Sequence, residues 1–138
     1  MVRRLYREGD ERRFEARPDF AALLAATGGQ LPPGPKWTIT QGREPIAVGG
    51  FIPGPKVYSA WAYCSGMNPR QWRFAFEAAR ELLGLAVDYY QAKAVEVMVR
   101  CDQSRAFCLL AELGFRATGE QTRHRDGSLQ DVMALEMY

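Results

Sequence analysis

Residues 94–115 read AVEVMVRCDQSRAFCLLAELGF, and the apolar period changes in the middle of the string. Val95, Val97 and Val99 alternate with Glu96, Met98 and Arg100, the period of two that a strand with one buried face requires, and the buried set is β-branched. Asp102 stands where a helix N-cap belongs. From there Phe107, Leu110, Ala111 and Gly114 recur at helical spacing, and Leu109 with Leu113 widens the apolar stripe. Gly114 suits a left-handed stop, and Phe115 begins another extended run.

The rest of the chain surrounds this strand, turn and helix with similar elements. Val2 to Tyr6 alternates weakly as a first strand, and Gly9 with Asp10 predicts the turn and N-cap of a helix. Pro18 restricts Arg17 and ends that helix, so Asp19 to Ala26 reads as a second, short one. A Gly/Pro-rich loop over Gly28 to Pro35 leads to a strand at Lys36 to Gln41 with Trp37 and Ile39 on one face. Gly42, Arg43 and Glu44 turn it into a return strand at Pro45 to Ile52, which Gly49 and Gly50 should weaken or bulge. A third strand, Lys56 to Cys64, completes a meander; Tyr58, Ala60, Ala62 and Cys64 share one face and Val57, Ser59, Trp61 and Tyr63 the other, neither with a carboxylate. Asn68 as N-cap and Pro69 at N1 start a long helix to about Tyr90, with Trp72, Phe76, Ala79, Leu83 and Val87 along one side. Two last strands, Phe115 to Arg123 and Leu129 to Met137, flank a turn at Asp126 and Gly127.

Length and charge exclude several classes. At 138 residues the chain is expected to form one domain, 1–138, long enough to bury about two thirds of its unfolded surface. The net charge is 18 − 16 = +2, too balanced for a polyanion-binding surface, so no nucleic-acid partner is expected. Arg3, Arg4, Arg7, Arg12 and Arg13 are interleaved with Glu8, Asp10, Glu11 and Glu15 and read as a solvated face. No stretch approaches the roughly 20 apolar residues of a membrane span. Cys64, Cys101 and Cys108 are an odd number without metal spacing, and there is a single histidine, His124, so no metal site is expected and a reducing cytoplasm fits.

The string from Gln103 to Phe115 resembles the C-terminal half of the GCN5-related N-acetyltransferases. In that family an Asn opens the helix, an Ala follows three positions on, a Tyr seven on, and Gly-Phe closes it at eleven and twelve. The corresponding positions are Gln103, Ala106, Leu110, Gly114 and Phe115, of which the last two and Ala106 match. The element order matches from Val2 onward. The resemblance implies an α+β (α/β/α) fold with a mixed sheet of about six to seven strands, flanking helices and a splayed pair, Lys56 to Cys64 against Ala94 to Arg100. It also implies acetyl-CoA as co-substrate, its pantetheine arm entering between the splayed strands, and acyl transfer to the amine of a small molecule or protein by direct attack.

The family's pyrophosphate loop, a Gln or Arg, two residues, Gly, one residue, then Gly or Ala, aligns with Arg70, Gln71, Trp72, Arg73, Phe74 and Ala75. A helix N-terminus suits an anion through its free N–H groups and dipole. Arg73 replaces the central glycine; its side chain would either clash with the phosphates or neutralise them. The implied coenzyme contacts are therefore Cys64, Ser65, Arg70, Gln71, Arg73, Phe74, Ala75 and Gln103. Leu110 stands where many members carry the tyrosine that reprotonates the leaving thiolate, so no catalytic residue is assigned. In length and layout the chain is also similar to acetyltransferase-like proteins encoded by tailed phages, some of which are small internal virion proteins. On that likeness the chain keeps the fold without the chemistry, and its partners are virion proteins in the host cytoplasm or the virion.

Overall fold

A computed structural model describes residues 1–100, 104–123, 127 and 129–136, without the side chains of 19, 20, 23, 26, 99, 100, 104–107 and 136. Cys101, Asp102, Gln103, His124 and Asp126 lie outside the described residues, as do the side chains of Ser104 and Ala106. The strands are β1 (Val2–Leu5), β2 (Lys36–Gln41), β3 (Glu44–Ile52), β4 (Val57–Cys64), β5 (Ala94–Arg100), β6 (Arg116–Arg123) and β7 (Leu129–Glu136); the helices are α1 (Pro18–Ala26), α2 (Pro69–Asp88) and α3 (Ser104–Glu112). The strands form a seven-stranded sheet in the order β1-β2-β3-β4-β5-β7-β6. The β4–β5 pair is parallel, and every other neighbour is antiparallel.

One face of the sheet is closed by α2 and α3. Val95 is fully buried among Trp37, Phe51, Leu83, Ala86, Phe115 and Met133, with Val97, Leu110 and Leu113 packed against them. The buried side of α2 runs through Ala78, Leu83 and Ala86 rather than through Val87, which is exposed. The helix is turned so that the small side chains of Ala78 and Ala86, with Leu83, face inward. The turn after α3 explains the Gly-Phe pair. Gly114 has φ +101°, the Phe115 N–H bonds the Leu110 carbonyl at 2.9 Å, and Phe115 then drops into the core.

The opposite face carries the N-terminal segment. The helix expected after Asp10 is no more than a 3-10 turn, Asp10–Arg12. Its carboxylate faces inward instead of capping: Arg4 Nη1 and Nη2 donate to it at 2.8 and 3.0 Å, Thr38 Oγ1 at 2.6 Å and the Arg7 N–H at 2.9 Å. Burial alone would raise the Asp10 carboxyl, but these donors outweigh it and hold the group well below the usual carboxylate range. The expected weakness at Gly49 and Gly50 does not break β3; the strand bulges nearer its start instead, where Ile46 is the extra residue between Ala47, the partner of Ile39, and Pro45, the partner of Thr40. Gly50 serves close packing instead, since a Cβ there would lie 2.2 Å from the Pro35 carbonyl oxygen. Among the described residues no helix is long and apolar enough to cross a membrane.

Candidate functional site

The parallel strands β4 and β5 stay together for four residue pairs and then separate. Val57, Tyr58, Ser59 and Ala60 pair with Ala94, Val95, Glu96 and Val97, and Trp61 to Cys64 have no partner on β5. The rest of β5, through Arg100, remains bonded to β7, so the opening lies between β4 and β5. Backbone direction shows which groups line it. The Lys56 carbonyl accepts from the Lys93 N–H at 2.9 Å, whereas the Ser65 N–H donates the other way, to Ile46 on β3, at 3.0 Å. Because N–H and C=O alternate sides along a strand, the even-numbered residues of β4 face the opening. Ala62 therefore presents both its N–H and its C=O to the gap, with no backbone partner among the described residues. Ala62 is exposed, and an unpaired, accessible strand edge is a ready hydrogen-bonding surface for an extended, amide-bearing ligand.

Side chains from both strands border the gap on the face away from α2. Val95 and Val97 point into the core, so Glu96 and Met98 turn the other way, beside Ser59 and Trp61. Met98 is 47% exposed, which leaves this face open next to the gap. Glu96 is half-buried and has neither an ion pair nor a hydrogen bond among the described residues, so its carboxylate is open to solvent or to a ligand. The buried indole Nε1 of Trp61 likewise lacks an acceptor there. Tyr63 packs on Phe14 with ring centroids 5.5 Å apart, and burial, with the nearby Glu11 carboxylate, pushes its phenol up. Tyr6 is pushed up to about 12 by burial and by the hydrogen bond it donates to Glu11. Trp61 and Tyr63 are both half-buried on this open face.

The start of α2 lies just beyond the end of β4. Its N-terminus is a closed capping box: Asn68 Oδ1 accepts from the Gln71 N–H and Gln71 Oε1 from the Asn68 N–H, each at 2.9 Å. Gln71 Nε2 also donates to Gln41 Oε1, which ties the cap to the end of β2. Pro69 has no N–H, so of the four groups a helix start leaves over, the Arg70 N–H faces outward. Arg70 and Arg73 are exposed three residues apart on one side, while Phe74 and Ala75 are half-buried in the second turn. Ser65 is fixed by two bonds to the Ile46 carbonyl, from its N–H and its Oγ, both at 3.0 Å, and Cys64 is 3% exposed. Leu110 packs against the core. Cys64 and Ser65 thus stand at the end of β4, and Arg70, Gln71 and Arg73 in the first turns of the helix that follows it in the chain. Glu96 was present in the alternating pattern of the sequence; its register opposite Ser59 was not.

No family model matches the sequence, and no curated protein matches it. Solved structures do resemble it. A variant of spermidine N-acetyltransferase SpeG from Vibrio cholerae superposes with a TM-score of 0.70 at 11% identity, over 99% of this chain and 95% of that one. AAC(6')-Ib, solved in complex with ribostamycin and coenzyme A, gives 0.60 at 14% identity over 74% and 63%. An acetyltransferase of the GNAT family from Bacillus anthracis gives 0.58 at 15% identity over 73% and 65%. The chain therefore has the fold of the GCN5-related N-acetyltransferases, as the motif and element order implied.

Proposed function

We propose that the chain is an acetyl-CoA-dependent N-acyltransferase that passes the acyl group directly to an amine. The observation that carries this reading is the Ala62 edge, an unpaired donor and acceptor inside an opening of the sheet, in a fold whose solved examples include one bound to coenzyme A. Bound there, the coenzyme would supply an activated acyl thioester. The Ala62 N–H and C=O suit the amides of an extended arm, and Cys64 and Ser65 follow along the same strand. Arg70 and Arg73 supply two guanidinium groups for the phosphates; with the Asn68 and Gln71 amides engaged by the cap and only the Arg70 N–H left over, charge on these side chains replaces the bare helix end. Gln71, Phe74, Ala75 and Gln103 complete the proposed coenzyme contacts.

On the amine side, Glu96 is placed to accept a proton from an ammonium group, directly or through one water, and so to present a neutral nitrogen for attack. Positioning and N–H polarisation of the acyl carbonyl carry the remaining rate. Leu110 offers no proton to the departing thiolate, which would take one from solvent. The acceptor is a small-molecule or protein amine, the former in keeping with neighbours named for spermidine and aminoglycosides. The cytoplasm is the expected compartment. The test is thiol release from acetyl-CoA over a panel of spermidine, an aminoglycoside, a free peptide N-terminus and a lysine peptide. Acceptor-dependent release with one of them supports the reading. No release with any would turn attention to a fold-only role, with virion proteins among the partners to try.

A further inference from the structure

The edge that β5 vacates is not empty along its whole length. The Cys64 carbonyl faces the gap like that of Ala62, and it is taken by the Arg17 N–H at 3.0 Å. Ala16 forms an antiparallel bridge with Ser65 beside it, and Phe14 rests on Tyr63. Residues 14–17 thus run as a strap along Tyr63, Cys64 and Ser65 at the end of β4, and the Arg17 N–H takes the side of Cys64 that β5 would occupy had the strands stayed parallel. About three residues of free edge, Trp61 to Tyr63, remain between the last β4–β5 pair and the strap, roughly 10 Å at a strand's rise per residue.

We infer that this strap is an autoinhibitory contact, competing with an extended amide-bearing ligand for the Cys64 carbonyl. A ligand lying along β4 with two amides spaced as in a strand meets Ala62 first and Cys64 next, since alternate residues face the same way. One carbonyl lone pair in line with the edge cannot serve both the Arg17 N–H and the ligand's second amide in full, so seating that amide loosens the strap. The inference rests on the coenzyme reading, because the two amides of the pantetheine arm are the ligand considered.

Arg17 permits a precise substitution. Its φ of −56° and ψ of 145° are those proline adopts, and Ala16 before it is already extended in the bridge. Arg17→Pro therefore removes the N–H without asking the backbone to move, while Arg17→Ala removes the side chain and keeps the N–H. Desulfo-CoA is the probe, with its affinity measured calorimetrically and the rate of tryptic cleavage at the Arg13–Phe14 bond followed by mass spectrometry. Arg17→Pro is expected to bind desulfo-CoA about two- to tenfold more tightly than the parent, the worth of one net hydrogen bond, with Arg17→Ala near the parent. Desulfo-CoA should speed cleavage at Arg13–Phe14 in the parent protein. Phe14→Ala, which loosens the strap from its other end, should shift affinity the same way. Equal or weaker binding by Arg17→Pro and Phe14→Ala, or ligand-induced protection of Arg13–Phe14, overturns the strap while leaving the coenzyme reading intact. No binding by parent or variants overturns both.

Discussion

The Arg4–Asp10–Thr38 cluster and the β4–β5 gap lie on the same face of one sheet, and they treat polar groups in opposite ways. Around Asp10 both carboxylate oxygens are met, by a two-pronged guanidinium, a hydroxyl and a backbone N–H, with the residue 2% exposed. At the gap, the Ala62 edge, the Glu96 carboxylate and the Trp61 indole N–H stand without such partners among the described residues. A buried polar group costs free energy unless it is bonded. The closed cluster therefore serves to hold the N-terminal segment on the sheet, and the open one is where a ligand can supply what the chain does not.

The contrast can be broken at either end. The largest effect is expected from Glu96→Gln, which keeps shape and removes basicity: a fall of about 10²–10⁴-fold in acyl transfer at neutral pH, with melting temperature and coenzyme affinity near the parent values. A rate within a few-fold of the parent would remove Glu96 from the proton path. Next is Asp10→Asn, which leaves Arg4 facing a neutral amide and should cost about 2–3 kcal/mol, seen as a lower denaturant midpoint at pH 7. Its pH dependence has a definite sign. The folded Asp10 carboxyl lies below its unfolded value, so its stabilisation is present above about pH 4 and is lost as pH falls from there. Asp10→Asn should lack that part of the acid slope, and an unchanged acid midpoint would mean that the cluster is not what fastens the segment. The smallest effect is Asn68→Ala. It should lower stability by about 1 kcal/mol through the lost cap. It also frees the Gln71 N–H, so coenzyme affinity should hold or rise even as the melting temperature drops. A fall in affinity would assign Asn68 itself to the phosphate site.

These two regions also differ in how far the sequence revealed them. The strands of the meander and the start of α2 were legible because each rests on local chemistry: alternation, Gly42 in a tight turn, Asn68-Pro69 as a cap. The Gly114-Phe115 pair was legible for the same reason, a left-handed stop followed by a core aromatic. Asp10 was not, because an acidic residue after glycine looks like a cap until Arg4 and Thr38 arrive from two strands to enclose it. Glu96 was visible only as the polar half of an alternating strand. Its place beside Ser59, one pair before β4 and β5 separate, depends on a parallel register between residues almost forty positions apart. The strap was hidden for a similar reason: nothing in Ala16-Arg17 announces that it will meet Cys64-Ser65.

Everything proposed for the gap depends on its taking the coenzyme. Thermal denaturation of the whole chain in rising acetyl-CoA, with desulfo-CoA in parallel to separate binding from thiol chemistry, addresses it. Saturating ligand at about 100 times its dissociation constant should add about 2.7 kcal/mol, a rise of several degrees that levels off and is shared by both ligands. An unchanged melting temperature at millimolar concentrations of both would contradict the claim that the opening beside Ala62 is a coenzyme site.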